Sequence, residues 1–138
     1  MSFQNINKID SSSNEKSCAI LYNFSAKELT MLKNICGLIG IKEKIILNSE
    51  NGNTLVKNIL NNELNNDCDV ILNHKAVIFN NIDSSKIHSF MDALKKFRFG
   101  LPLIAVVTET SIDWDLNTLV SNLAEERDAL KSGKKINH

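Results

Sequence analysis

The sequence predicts an α/β fold: a four-stranded, mainly parallel sheet with helices on both faces, built from two βαβ repeats. Three observations predict it. Four apolar segments, CAILY (18–22), KIILN (44–48), AVIF (76–79) and LIAVV (103–107), alternate with amphipathic stretches, which is the order of strands and helices in a parallel α/β sheet. These segments are mostly continuous apolar runs, which suits strands covered on both faces. Finally, residues 19–48 and 76–108 share one order: an apolar run closed by an asparagine (Asn23, Asn80), an apolar residue, a helix cap, a helix, a glycine and a second apolar run. The duplication also fits a ferredoxin-like α+β fold with an antiparallel sheet. The helical segment between the copies and the unbroken apolar strands favour the parallel arrangement.

The elements follow in order. Ser25 and Glu28 form a capping box, and Phe24 and Leu29 a hydrophobic staple, at the start of the first helix. Leu29, Leu32, Cys36 and Ile39 recur at helical spacing, with Met31, Ile35 and Leu38 widening the stripe. Gly40 stops this helix in a left-handed conformation. Leu55, Val56, Ile59 and Leu60 share one side of a short second helix, and the Asn-rich segment after it reads as loop. DVILNH (69–74) fits either a short strand or an extended connector. In the second copy Asp83 caps a helix whose stripe is Ile87, Phe90, Met91, Leu94 and Phe97, with Ile82 and Ile87 as its staple. Gly100 and Pro102 end it. The last helix starts near Asp113 or Asp115 and turns Leu116, Leu119, Val120, Leu123, Ala124 and Leu130 inward, with Gly133 as its stop.

A chain of 138 residues is of single-domain size. The reading is a leader at 1–17 rich in Ser, Asn and Lys, one α/β domain at 18–132, and a frayed tail at 133–138. The leader has no apolar core of a signal peptide, and no run approaches the roughly 20 apolar residues of a membrane span. The 16 basic and 16 acidic residues cancel, so no basic face for nucleic acid is expected. Three separated cysteines, Cys18, Cys36 and Cys68, fit a reducing, cytoplasmic compartment rather than a disulfide framework. Their spacing to His74, His88 and His138 suggests no metal site.

In an open α/β sheet, ligands bind beyond the carboxyl ends of the strands. Those ends carry Asn23, Asn48, Ser49, Asn80, Asn81, Thr108, Glu109, Thr110 and Ser111, with Trp114 just beyond. In a fully parallel sheet they converge on one edge. There amides and hydroxyls would hold a polar or anionic small molecule, aided by helix N-termini. The same residue types are also what turns and caps require. Trp114 reads as a lid on the core or as a stacking surface. Glu109, His74 and His88 read as solvated side chains rather than as a general base. Arg127 falls on the apolar periodicity of the last helix and suits a carboxylate or a partner chain. Phosphate-binding, nucleophile-elbow and zinc-helix motifs are absent, and no cofactor is expected.

The stretch LIAVVTETSIDWDLNTLVSNLAEER, with ILYNFSAKELTMLK and AVIFNNIDSSKIHSFMDAL before it, resembles small bacterial proteins grouped as a domain of unknown function, DUF family 3783. In that pattern a strand ends in Thr, followed by Pro, Thr, Ser, a short gap, Trp and a helix ending Leu-x-x-Glu-Arg. Thr108, Thr110, Ser111, Trp114, Leu123, Glu126 and Arg127 match it. Glu109 stands where the pattern has proline and Asn81 where it has glycine. The resemblance spans residues 18–130, implies a compact bacterial cytoplasmic protein, and brings no catalytic residues.

Three functions are therefore weighed. A non-catalytic interaction or regulatory module, working as a homodimer or with a protein partner, requires an exposed apolar surface. A small-ligand-binding domain requires Asn23, Asn80, Thr108 and Ser111 in one pocket. An enzyme, the least favoured, requires two titratable groups in hydrogen-bond reach.

Overall fold

A computed structural model describes residues 16–131. Residues 1–15 of the expected leader, residue 132, and the expected tail at 133–138, with Gly133 and His138, lie outside the described residues. Lys16 and Ser17, read as part of the leader, are instead anchored. Lys16 Nζ donates to Leu60 O at 3.2 Å and pairs with Glu43 at 3.2 Å, and Ser17 Oγ donates to Asn81 O at 2.9 Å.

The chain runs β1 (Cys18–Tyr22), α1 (Ala26–Ile39), β2 (Glu43–Leu47), α2 (Val56–Leu60), β3 (Ala76–Asn80), α3 (Ser84–Lys96), β4 (Leu103–Val106) and α4 (Leu116–Lys131). The sheet order is β2-β1-β3-β4. β1 pairs with β2 and β3 with β4 in parallel, while the central pair, β1 and β3, is antiparallel with Ile20 opposite Ile78. The sheet is thus mainly parallel, as expected, but two β-α-β units meet head to tail along one antiparallel seam.

Each face of the sheet carries its own core. Ala19, Leu21, Val77 and Phe79 point to α1 and α3, where Leu32, Ile35, Cys36, Phe90 and Leu94 bury against them. Cys18, Ile20, Tyr22, Ala76 and Ile78 point to α2 and α4, against Val56, Ile59, Leu116, Leu119 and Val120. This period-two division within unbroken apolar runs is why β1 and β3 carry no polar face.

The caps explain where the helices lie. Ser25 Oγ accepts from Glu28 N at 3.2 Å, and Glu28 Oε1 accepts from Ser25 N at 2.9 Å, the capping box read from the sequence. Gly40 ends α1 at φ 96°, and Ile41 N reaches back to Cys36 O. At the end of α3 the left-handed residue that closes the helix is Arg98 (φ 54°); Gly100 is left-handed too (φ 93°), as expected, but lies in the following link. The reason is packing: Phe99 N bonds to Leu94 O, which turns the Phe99 ring inward to meet Phe24 at 6.1 Å. Three further expectations need correction. Leu38, Phe97 and Leu130, placed on apolar stripes by spacing, are exposed at 80%, 49% and 68%. Phe97 and Leu130 lie at the very ends of their helices, whereas Leu38 lies on the side of α1 turned away from the sheet, next to Ile39, which packs on the core. Residues 69–74 form a connector rather than a strand.

Both units leave the sheet in the same way. After β2 comes a 3-10 turn, Ser49–Asn51, and then α2; after β4 comes a 3-10 turn, Ser111–Asp113, and then α4. The two exits pair with each other. Val56 N donates to Trp114 O at 2.9 Å and Leu116 N to Thr54 O at 3.0 Å, on either side of Leu55 and Asp115. Asp115, one of the two starts expected for the last helix, caps α4 by accepting from Thr118 N at 2.8 Å.

Candidate functional site

The antiparallel seam sends the carboxyl ends of β1 and β2 to one edge of the sheet and those of β3 and β4 to the other. The single polar edge expected from a fully parallel sheet is therefore not formed, and Asn23, with Asn48 and Ser49 after β2, is separated from the other predicted residues. Asn23 adopts φ 73°, and its Nδ2 donates to Leu72 O (2.7 Å) and His74 O (3.1 Å). It clasps the chain as it enters β3. Asparagine tolerates this left-handed backbone better than most residues.

At the opposite edge the structure brings together Asn80, Asn81, Thr108, Glu109, Ser111 and Trp114. Asn80, Asn81, Thr108 and Glu109 line a hollow of about 400 Å³ with Val106 and Ile112. Thr108, Ser111 and Trp114 line a groove of about 540 Å³ with Ala105, Val106 and Leu123. Val106 and Thr108 border both, so the two concavities flank the end of β4. Thr110 is exposed and lines neither.

The polar groups here are largely committed to holding the chain. Asn80, 4% exposed, donates from Nδ2 to Lys16 O at 2.7 Å, and Asn81 Nδ2 donates to Ser17 Oγ at 3.2 Å. Thr108 and Ser111 cap each other. Ser111 N donates to Thr108 Oγ1 at 3.0 Å, and Thr108 N donates to Ser111 Oγ at 2.9 Å. The first unit has the same device after β2, with Asn48 and Asn51: Glu50 N donates to Asn48 Oδ1 at 2.9 Å, and Asn48 N to Asn51 Oδ1 at 3.1 Å. The likeness assigns Thr108 and Ser111 to the strand-to-helix turn. Ser111→Ala removes both the acceptor for Thr108 N and the hydroxyl contact, and is expected to cost about 1 kcal/mol. A chemical-denaturation midpoint that does not move would remove that assignment.

The remaining candidates are placed as follows. Trp114 is half-buried and packs on the core around Ile20 while forming one wall of the open groove, so it serves as lid and wall at once. Glu109, His74 and His88 are exposed. Ion pairs among the described residues join Lys16 to Glu43, Lys57 to Asp113 and Lys75 to Glu28. The neighbouring Lys75 ammonium and the Ser25 cap hold the Glu28 carboxyl below its ordinary pKa. Cys18 and Cys36 are buried, and burial pushes both thiols up to about 11, so they stay protonated.

What the side chains leave open is the backbone of β4. It is a terminal strand, and Val106 is 45% exposed on it. From Phe99 to Thr108 there is no charged residue, whereas the other terminal strand, β2, begins with Glu43 and Lys44 directly after Lys42. Charges on an edge strand discourage pairing with another chain; β2 has them and β4 lacks them. Reading side-chain chemistry alone misses this feature, although the charge-free stretch was there to find.

The fold defines an α/β domain with a mixed four-stranded sheet and one unguarded edge. Residues 75–130, which span β3 to α4, match the family model described as Domain of unknown function (DUF3783). The resemblance read from the sequence thus holds over the second unit. Among curated proteins and solved structures, none matches this chain. No helix among the described residues is long and apolar enough to cross a membrane.

Proposed function

We propose that this protein is a non-catalytic interaction module of the bacterial cytoplasm, built on an internal repeat, that binds protein through the open edge of β4 and the groove beside it. The observation that carries this reading is the unguarded edge. Val106 is exposed at the end of an uncharged strand, next to a groove walled by Ala105, Trp114, Leu119 and Leu123. An exposed edge offers backbone donors and acceptors for an added strand, and a flanking apolar groove offers side-chain pockets. A regulatory role is compatible with such a surface. The small-ligand alternative draws less support, because the amides and hydroxyls it would use already bind neighbouring residues.

Photocrosslinking in cells tests this reading. A photoreactive residue at Val106 should yield protein adducts, and one at the exposed Lys33 on α1 should not. Adducts absent from position 106, or equal from both positions, would remove the β4 edge as the interaction surface.

A further inference from the structure

We propose that the partner at this edge is a second copy of the chain, paired antiparallel with β4 about a two-fold axis at Ala105. The two sheets then join into one eight-stranded sheet. This rests on the interaction reading above and adds the identity of the partner and the register.

The register follows from which backbone groups are free. Leu103 N donates to Lys75 O and Val107 N to Phe79 O, both at 2.9 Å. In a parallel ladder alternate residues bond to the neighbouring strand, so Leu103, Ala105 and Val107 face β3 while Ile104 and Val106 present their N–H and C=O outward. Two residues bound this open stretch. Pro102 has no N–H to give, and the Thr108 N–H is already donated to Ser111 Oγ.

Three two-fold registers can be compared. Pairing centred on Ile104 sets Val106 against the partner's Pro102, which cannot donate. Pairing centred on Val106 sets Ile104 against the partner's Thr108, whose donor is spent. Pairing centred on Ala105 sets Ile104 against the partner's Val106, so that all four free N–H groups and all four free C=O groups of Ile104 and Val106 are paired, whereas the other two registers leave carbonyls without donors. It also sets Pro102 against the partner's Thr108, so the ladder stops at both ends with no donor stranded.

Side chains agree with this register. Ala105 lies on the axis as a non-hydrogen-bonded pair, where Cα atoms approach to about 4.5 Å and a small residue fits best. Ile104 and Val106, on the α3 side, meet their copies as an apolar cluster that covers the exposed Val106. The ends carry complementary charge. Arg127 lines the hollow beside Leu101 and Pro102, and this pairing brings the partner's Glu109 opposite Leu101. The charged β2 edge is unsuited to the same pairing, so association closes at two copies rather than extending as a fibre.

The test uses the full chain with Cys68→Ser, which leaves only the two buried thiols. Native mass spectrometry should give a dimer, and Val106→Lys should give a monomer. Ala105→Cys should form an intermolecular disulfide on mild oxidation, since a cysteine pair at this position meets the required Cα separation. Ile104→Cys and Val106→Cys alone should crosslink far less, because each faces the other position rather than itself. Preferential crosslinking at 104 or 106 overturns the register. A wild-type monomer, or a dimer indifferent to both Val106→Lys and Ala105→Cys, overturns pairing through this edge. A monomer in vitro with crosslinks from position 106 to a different protein in cells refutes the second copy but leaves the interaction reading standing. A monomer with no such crosslinks removes both.

Discussion

Phe79→Ala should lower the free energy of unfolding by about 3–5 kcal/mol, the range for removing a buried aromatic ring. Phe79 is fully buried at the end of β3 and meets the Phe90 ring of α3 edge-on, with centroids 5.2 Å apart and planes at 83°. The ring ties a central strand to the helix that covers it, so its loss removes transfer energy, leaves a cavity and ends an edge-to-face contact. Most small domains have only about 5–15 kcal/mol in total, so the variant should be close to the limit of folding at physiological temperature. Phe79→Leu, which keeps most of the volume, should cost less. Equilibrium denaturation of both variants provides the measurement. If Phe79→Ala lost less than about 1 kcal/mol, the ring could not occupy the position described.

Gly52→Ala is the second large effect, and it is reversible by design. Gly52 follows the 3-10 turn after β2 with φ −63°, so its backbone suits any residue. The constraint is space: a Cβ there would collide with Asn117 Oδ1 and stand 2.6 Å from its Cγ. Asn117 cannot easily yield. Its backbone N–H is bonded to Gly52 O at 2.9 Å, and its side chain is enclosed with Nδ2 against Cys68 Sγ. Overpacking of this kind costs about 1–3 kcal/mol. Asn117 Oδ1 is itself buried without a hydrogen-bond partner among the described residues, so Asn117→Ala should be tolerated. The double variant should then recover most of the loss, a coupling that a double-mutant cycle measures directly. Strictly additive losses would show that the two residues do not meet.

Element order was legible because the helices after β1 and β3 have start signals in the sequence. Ser25 with Glu28 and Phe24 with Leu29 are local signals that α1 follows, and Asp83 holds the N-cap position of α3, although its side chain makes no capping hydrogen bond. Strand direction was not legible. A strand covered on both faces reads as the same apolar run whether its neighbour is parallel or antiparallel. What turns the second unit around is the clasp of Asn23 on Leu72 and His74, together with the paired exits at Leu55 and Asp115. Those contacts join residues far apart in sequence. The candidate site was ambiguous for a different reason. Asn, Ser and Thr serve caps and ligands equally well, and only the bonds of Thr108 with Ser111 and of Asn80 with Lys16 decide between the roles. The open edge is a property of the backbone, and its sole sequence trace is the missing charge between Arg98 and Glu109.

The antiparallel seam also bears on how the chain assembles. Every parallel pair closes inside one unit, Cys18 with Glu43 and Ala76 with Leu103, whereas the seam pairs Cys18 with Asn80. Closing a longer loop costs only slightly more entropy than closing a short one, but contacts between distant residues slow folding. The local closures are therefore favoured to come first, with docking along β1 and β3 afterwards. In that sequence of events the link at residues 61–75 carries no strand pairing of its own. Besides the bonds that dock it at Asn65, Cys68, Leu72 and His74, it acts as a tether that sets the effective concentration at which one half meets the other.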